Sequence, residues 1–394
     1  MKDSLINYTY IKIFYLFLIF ISFMLMLFYP LLSFCVCISI LVIFSKISKK
    51  IFTSILFFIS TFSLLIIYAS RDYKEEMEHD LNLYFNIFQN FINNNYSDFF
   101  FFGNGLEIGW TFLYSTVAKI FPCLTPPNLA ILNSLFCIFL LFFWIKSYIY
   151  ENITYRDQGL VVGLIVLFLS MTTFGYLQRQ ALATIFLLFM ITSKNKKVIF
   201  LFLATIFHST SLVLGCIYLT LIKIKLNNKK IILLLLLFIF IRFIFYNFVS
   251  FIANNNIDFF IFSKVYYYLV AEPTISSKRF LILVFPLFVL SFFNNKNRNI
   301  LLWKSIIQYS CISYMVLLGI PLLSERLNFI FLFIYGYFIY LVVPKKFYFI
   351  LYFFIFLYLI FFFCEKSNLL VDLNLFWQRY TMFSCKPLYF LELI

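Results

Sequence analysis

The sequence predicts an all-α protein, a polytopic transmembrane bundle of about 12–14 membrane segments, some of them short or re-entrant, around a cavity on the outer face. Of 394 residues, 64% are hydrophobic and only 12% are charged, about half the charged share of an ordinary soluble domain. Apolar runs recur at close to the roughly 17–25 residues that a helix needs to cross a hydrocarbon core. Backbone groups there must be satisfied inside the structure, which leaves helices or closed barrels. The runs do not alternate apolar and polar residues as barrel strands do, so helices remain. The chain 1–394 reads as a single integral membrane domain.

The net charge of +15 is first a topology signal. Five short loops hold Lys46/Lys49/Lys50, Lys194/Lys196/Lys197, Lys223/Lys225/Lys229/Lys230, Lys296/Arg298/Lys304 and Lys345/Lys346, with no acid among them. An excess of Lys and Arg marks cytoplasmic loops. Cations split among loops make no continuous stripe, which argues against a nucleic-acid partner. Eight Cys without a C-x-x-C, and only two His, offer no metal-ligand spacing, so neither metal nor cofactor is expected. The Cys lie mostly inside apolar runs and read as small buried hydrophobes.

In order, the run 11–28 has no small-residue cleavage pattern after it and reads as part of a first span, 8–28, rather than a signal peptide. A second span, 31–44, follows after Tyr29 and Pro30, and a third, 51–69, leads to an outer, periplasmic loop at 70–105. That loop is acidic, with Asp72, Glu75, Glu76, Glu78, Asp80 and Asp98 against Arg71 and Lys74, opposite to the inner loops. The run 107–121, closed by Pro122, Pro126 and Pro127, is short for a crossing and reads as a re-entrant or interfacial outer helix; a full crossing would put Arg179 among the inner cations.

Spans 128–145, 159–174 and 181–192 come next, with Lys146 and Arg156 inside and 176–180 outside. The run 198–222 is about one span long but basic at both ends, so two short helices meeting near His208-Ser209-Thr210-Ser211 are expected, the alternative being one crossing that breaks the charge rule. A polar turn at that depth is tolerated only where it is buried in protein or lines a watery cavity. Spans 231–248, 280–293, 305–320, 327–343 and 347–363 complete the bundle, with outer segments at 250–279 and 364–394.

Polar groups between apolar runs are costly, roughly 2.5–3.5 kcal/mol for a central Arg on insertion scales, so each is a site candidate. This topology gathers Arg71, Asp72, Asp80, Tyr84, Glu107, Arg179, Gln180, His208, Arg279, Glu325, Arg326 and Arg379 on the outer face. Guanidinium groups suit a diphosphate, because their planar fork bonds two phosphate oxygens at once. A His or a carboxylate near a sugar hydroxyl suits a general base. Together they suit transfer of a glycan from a lipid diphosphate. Arg242 lies inside an apolar run and is expected to face the bundle and meet phosphate or a buried carboxylate.

Arg71-Asp72-Tyr73 with Asp80 and Tyr84, Glu107-x-Gly109-Trp110, Tyr176-Leu177-Gln178-Arg179-Gln180-Ala181-Leu182-Ala183, and Phe207-His208-Ser209 with Ser211 resemble, in order and spacing, the EpsG family of Wzy-type polysaccharide polymerases. Glu325-Arg326 and Arg379-Tyr380 with Lys386-Pro387 are similar to its later pattern. The resemblance implies a multi-pass bacterial inner-membrane glycosyltransferase for capsule, exopolysaccharide or O-antigen, acting without a metal on undecaprenyl-diphosphate-linked oligosaccharide at the outer face. Its surroundings would be membrane lipid, with a chain-length regulator and a flippase of the same pathway as possible partners. On that reading His208, Asp80 and Glu107 are the catalytic candidates, while Arg179, Gln180, Arg71, Asp72, Tyr84, Glu325 and Arg326 bind substrate. An O-antigen ligase with the same diphosphate chemistry, or a flippase of the same lipid-linked sugar, are the alternatives.

Overall fold

The computed structural model describes residues 2–46, 50–69, 80–169, 177–255, 276–292, 298–318 and 323–372. Helices make up 87% of it and no strand occurs among the described residues, as expected for a helical membrane bundle. Four segments are long and apolar enough to cross a membrane, Lys50–Ile67, Asn128–Asn152, Ile300–Leu317 and Lys345–Phe363, and shorter apolar helices accompany them. The chain is a membrane protein. By internal contacts it divides into two compact units, residues 1–211 with 343–394, and residues 212–342.

The first unit begins with α1 (Lys2–Phe28), α2 (Pro30–Ile43) and α3 (Lys50–Ala69), which pack on one another. Pro30 sits in the first turn of α2, where its missing N–H costs nothing. A buried hydroxyl relay ties the three helices: Ser63 Oγ donates to Ser33 Oγ (3.1 Å), which donates to the Ser22 carbonyl (2.8 Å). Away from water such polar bonds between helices help to hold them together.

The 70–105 region contains more order than a loop. Its second half forms α4 (Asp80–Ile92), followed by 3-10 turns at Ser97–Phe100 and Phe102–Gly105. The reason is an apolar stripe at helical spacing, Tyr84, Ile87, Phe88 and Phe91, all buried. The run after Glu107 is α5 (Ile108–Ile120), at about 20 Å too short to span the hydrocarbon core. Two prolines start α6 (Pro126–Trp144), which runs on through a π-helical turn to Asn152. α7 (Gln158–Phe168) is buried almost throughout. Gly159 lets it approach α2, because a Cβ there would lie 2.6 Å from the Leu41 carbonyl oxygen.

Two helices then form an antiparallel hairpin, α8 (Gln178–Thr192) and α9 (Lys197–Phe207). The chain breaks at His208-Ser209 before α10 (Thr210–Ile224), where the sequence places the meeting of two short helices. The remainder of the first unit is α16 (Tyr348–Asp372), entered through a 3-10 turn at Lys345–Phe347. Only 11% of its spanning window is buried, so this helix presents its Phe-rich surface to lipid.

Within the second unit lie most of α10, α11 (Asn228–Asn255), α12 (Ser276–Leu290), α13 (Arg298–Leu317), α14 (Leu323–Leu327) and α15 (Ile330–Val342), with α13 touching α11, α12, α14 and α15. Arg242 donates to the Val316 carbonyl at 2.8 Å. Val316 lies in the last turn of α13, where carbonyls lack a helical partner, and a cation is favoured there. Cys37, Cys137 and Cys311 are buried as small hydrophobes, whereas Cys123 and Cys216 are exposed.

Candidate functional site

Three stretches of the first unit converge on one carboxylate. Glu107 is the residue before α5, reached through the turns at Phe102–Gly105 in which Gly103 and Gly105 have φ of 57° and 85°. These turns fold the Glu107 side chain back over Gly103, where a Cβ would stand 2.6 Å from Glu107 Cγ. Arg179 occupies the first turn of α8, the end of a helix dipole that disfavours a cation. An acid must therefore hold it there. His208 and Ser209 form the break after α9, whose extended backbone at His208 frees the Ser209 N–H to point out of the helix.

The bonds close around Glu107, whose side chain is 4% exposed against 21% for Arg179 and 13% for His208. Arg179 NH1 donates to Glu107 Oε2 at 2.6 Å, and Arg179 Nε donates to the Tyr84 hydroxyl at 2.9 Å. Glu107 Oε1 accepts from the Ser209 N–H (2.9 Å) and the Ser209 hydroxyl (2.8 Å), and lies 3.1 Å from His208 Nδ1. A carboxylate only accepts, so Nδ1 carries the hydrogen and Nε2 is the other ring nitrogen. The Arg179 guanidinium also lies 4.4 Å from the Phe102 ring centroid and 5.5 Å from that of Tyr84, within cation–π range. Behind it, Tyr84 packs edge to face on Tyr114, Trp110 lies tilted against both, and Trp110 meets Phe207 edge to face.

Glu107 lies outside the membrane-crossing segments. Burial pushes its carboxyl upward, but the bond from His208, the charge His208 carries in the acid range where Glu107 titrates, the Arg179 charge and the Ser209 N–H outweigh it and hold the group at about 2. The carboxylate therefore stays ionised at neutral pH.

Of the residues singled out from sequence, the structure joins Tyr84, Glu107, Arg179 and His208. Gln180 is buried in the first turn of α8. Arg71 and Asp72 lie outside the described residues. Asp80 opens α4, with its side chain outside them as well. Glu325 and Arg326 are on α14 of the second unit, Arg326 half-buried and the Glu325 side chain outside the described residues. Sequence reasoning passed over Ser209 as a double donor, Phe102 as a cation shelf and Gly103 as the floor under Glu107. The Gly103-Asn104-Gly105 turn, one residue short of Glu107, was the signal for the last of these. It also passed over Asn133, whose amide donates to Tyr114 Oη (2.7 Å) and Gln178 Oε1 (2.9 Å) and so joins α6, α5 and the start of α8.

Gly103→Ala is expected to lower the thermal midpoint and to displace Glu107, since a positive φ costs a non-glycine residue about 1–3 kcal/mol and the new methyl meets Glu107 Cγ. Gly105→Ala is the control: its φ is also positive, but its Cβ would come no nearer than 3.6 Å to Phe100. Equal loss of function in the two variants would count against a special place for Gly103.

Among the described residues, no group of three His, Cys, Asp or Glu could hold a metal ion. No curated protein and no solved structure matches the chain. The model of the EpsG family does, over residues 54–382, most of its 394 residues and every member of the Glu107 cluster. The chain belongs to the EpsG family, a family of Wzy-like polysaccharide polymerases.

Proposed function

We propose that the chain is a Wzy-type polymerase of a bacterial inner membrane, which moves a growing glycan from undecaprenyl diphosphate onto the next lipid-linked repeat at the outer face. The observation that carries this reading is the Glu107 carboxylate holding a guanidinium on one oxygen and an imidazole on the other. In the transfer, the acceptor hydroxyl attacks the anomeric carbon of the donor. Its proton passes to His208 Nε2, the new glycosidic bond forms, the bond from that carbon to the diphosphate oxygen breaks, and undecaprenyl diphosphate leaves. Arg179 stabilises the charge that builds on the departing diphosphate. Glu107, ionised and fully engaged, is a poor base; it fixes the tautomer of His208 and the aim of Arg179. Capsule, exopolysaccharide and O-antigen repeats are all substrates of the required chemistry.

Purified protein in nanodiscs, supplied with synthetic undecaprenyl-diphosphate repeats, is expected to give a ladder spaced by one repeat. Transfer of a single unit to another acceptor would favour a ligase, and passage of labelled lipid-linked sugar across liposomes without any ladder would overturn polymerisation. His208→Gln is expected to slow the ladder about 100-fold or more, the usual weight of a general base.

The Glu107 carboxyl also fixes a pH dependence. Its folded value of about 2 lies below the ordinary 4.5, so its contribution to stability is complete above about pH 4.5 and disappears as the pH falls towards 2. The difference in thermal midpoint between the wild type and Glu107→Gln should shrink over that window. A difference that stays constant would show that the ionised form is not what stabilises.

A further inference from the structure

A second polar site lies in the first unit, away from the Glu107 cluster. Three segments far apart in sequence, the turn after α2 at Lys46, the 3-10 turn before α7 at Arg156, and the 3-10 turn before α16 at Lys345 and Lys346, line a cavity of about 870 Å³. All three are segments that the charge pattern assigns to the cytoplasmic side. Among the described residues, the only carboxylate lining the cavity is Asp157, which lies 3.5 Å from Lys345 and accepts from the Thr154 hydroxyl at 2.6 Å. Four cations against one acid leave Lys46, Arg156 and Lys346 without a described carboxylate to neutralise them.

The inward bias of Lys and Arg accounts for cations on each loop, but not for their meeting across a concavity. Its remaining wall is aromatic, with Tyr155, Tyr348 and Tyr352 beside Phe349. Phe349, 68% exposed, begins the outward surface of α16 that continues through Phe353 at 61%, on the helix that faces lipid. A ligand that fits this surface has an anionic head among the cations and an apolar tail along α16. The size is within the roughly 300–1,000 Å³ of small-molecule sites.

We infer that this cavity binds the phosphate head group of an anionic phospholipid of the inner leaflet, with its acyl chains lying against α16. A free phosphate shares the head chemistry but makes no use of the Phe-lined exit. Juxtamembrane cations attract anionic lipid by about fivefold each.

The test uses the full chain in phosphatidylcholine nanodiscs doped with phosphatidylglycerol, with native mass spectrometry reading the lipid retained and thermal unfolding reading its effect. The wild type should retain phosphatidylglycerol and gain thermal stability from it. The triple variant K46Q/R156Q/K346Q should bind it about 100-fold more weakly, at about fivefold per cation. The variant K194Q/K196Q/K197Q removes the same charge from another basic loop and should retain the lipid. Equal loss in both triple variants, or retention by both, would overturn the site. So would full displacement by inorganic phosphate or glycerol 3-phosphate, which would make the ligand a soluble phosphate. If the first triple variant does not fold, Arg156→Gln alone should bind about fivefold more weakly, and unchanged binding there would overturn the proposal too.

Discussion

Glu107→Gln is expected to lose most polymer and a large part of the protein's thermal stability, although it changes neither shape nor volume. The amide has one acceptor oxygen where the carboxylate has two. Whichever way it is turned, its NH2 faces either Arg179 NH1 or the Ser209 and His208 donors, donor against donor. The Arg179 charge also loses its counter-ion. Removing one partner of a buried pair costs about 3–5 kcal/mol, and the lower end applies because Arg179 is 21% exposed. The rate should fall about 100-fold or more, as on loss of one preorganised electrostatic group. The thermal midpoint in detergent and the ladder on a gel check the two effects separately. An unchanged midpoint would mean that the cluster does not hold the three segments together.

Arg179→Lys is expected to fail almost as completely in polymerisation, with a smaller loss of stability. A single ammonium cannot bond Glu107 and the Tyr84 hydroxyl along two fixed directions while also keeping its charge over Phe102. Yet the carboxylate it leaves behind still accepts from Ser209 twice and from His208, so no buried charge is stranded. The two variants should therefore separate in midpoint, with Glu107→Gln the lower, while remaining comparable in rate. Arg179→Ala made at normal protein level should give no ladder. Near-normal chain length in either Arg179 variant would remove Arg179 from the donor site.

The helical architecture was legible because apolar run length and loop charge are local properties. The break at His208-Ser209 was legible for the same reason, since basic clusters on both sides of one run of span length favoured two short helices over a single crossing that breaks the charge rule. Tyr84, Glu107, Arg179 and His208 could be singled out as polar groups between apolar runs, but not their arrangement. Glu107 and His208 are separated by 101 residues, and no periodicity reports such a pairing. The helix α4 was hidden because its stripe of Tyr84, Ile87, Phe88 and Phe91 sits in a segment whose acids read as a solvated loop. For Arg242 the apolar surroundings pointed into the bundle, but not to the end of the helix that one of its nitrogens meets.

The sequence distance across the cluster has a consequence for biogenesis. Glu107 leaves the ribosome 72 residues before Arg179, which at about 5–20 residues per second is a wait of roughly 4–14 s, and 101 residues before His208. Throughout that interval its carboxylate has no counter-charge from the hairpin and is better hydrated than buried. The Glu107 end of α5 therefore gains its folded surroundings only when α8 and the break after α9 arrive to receive it.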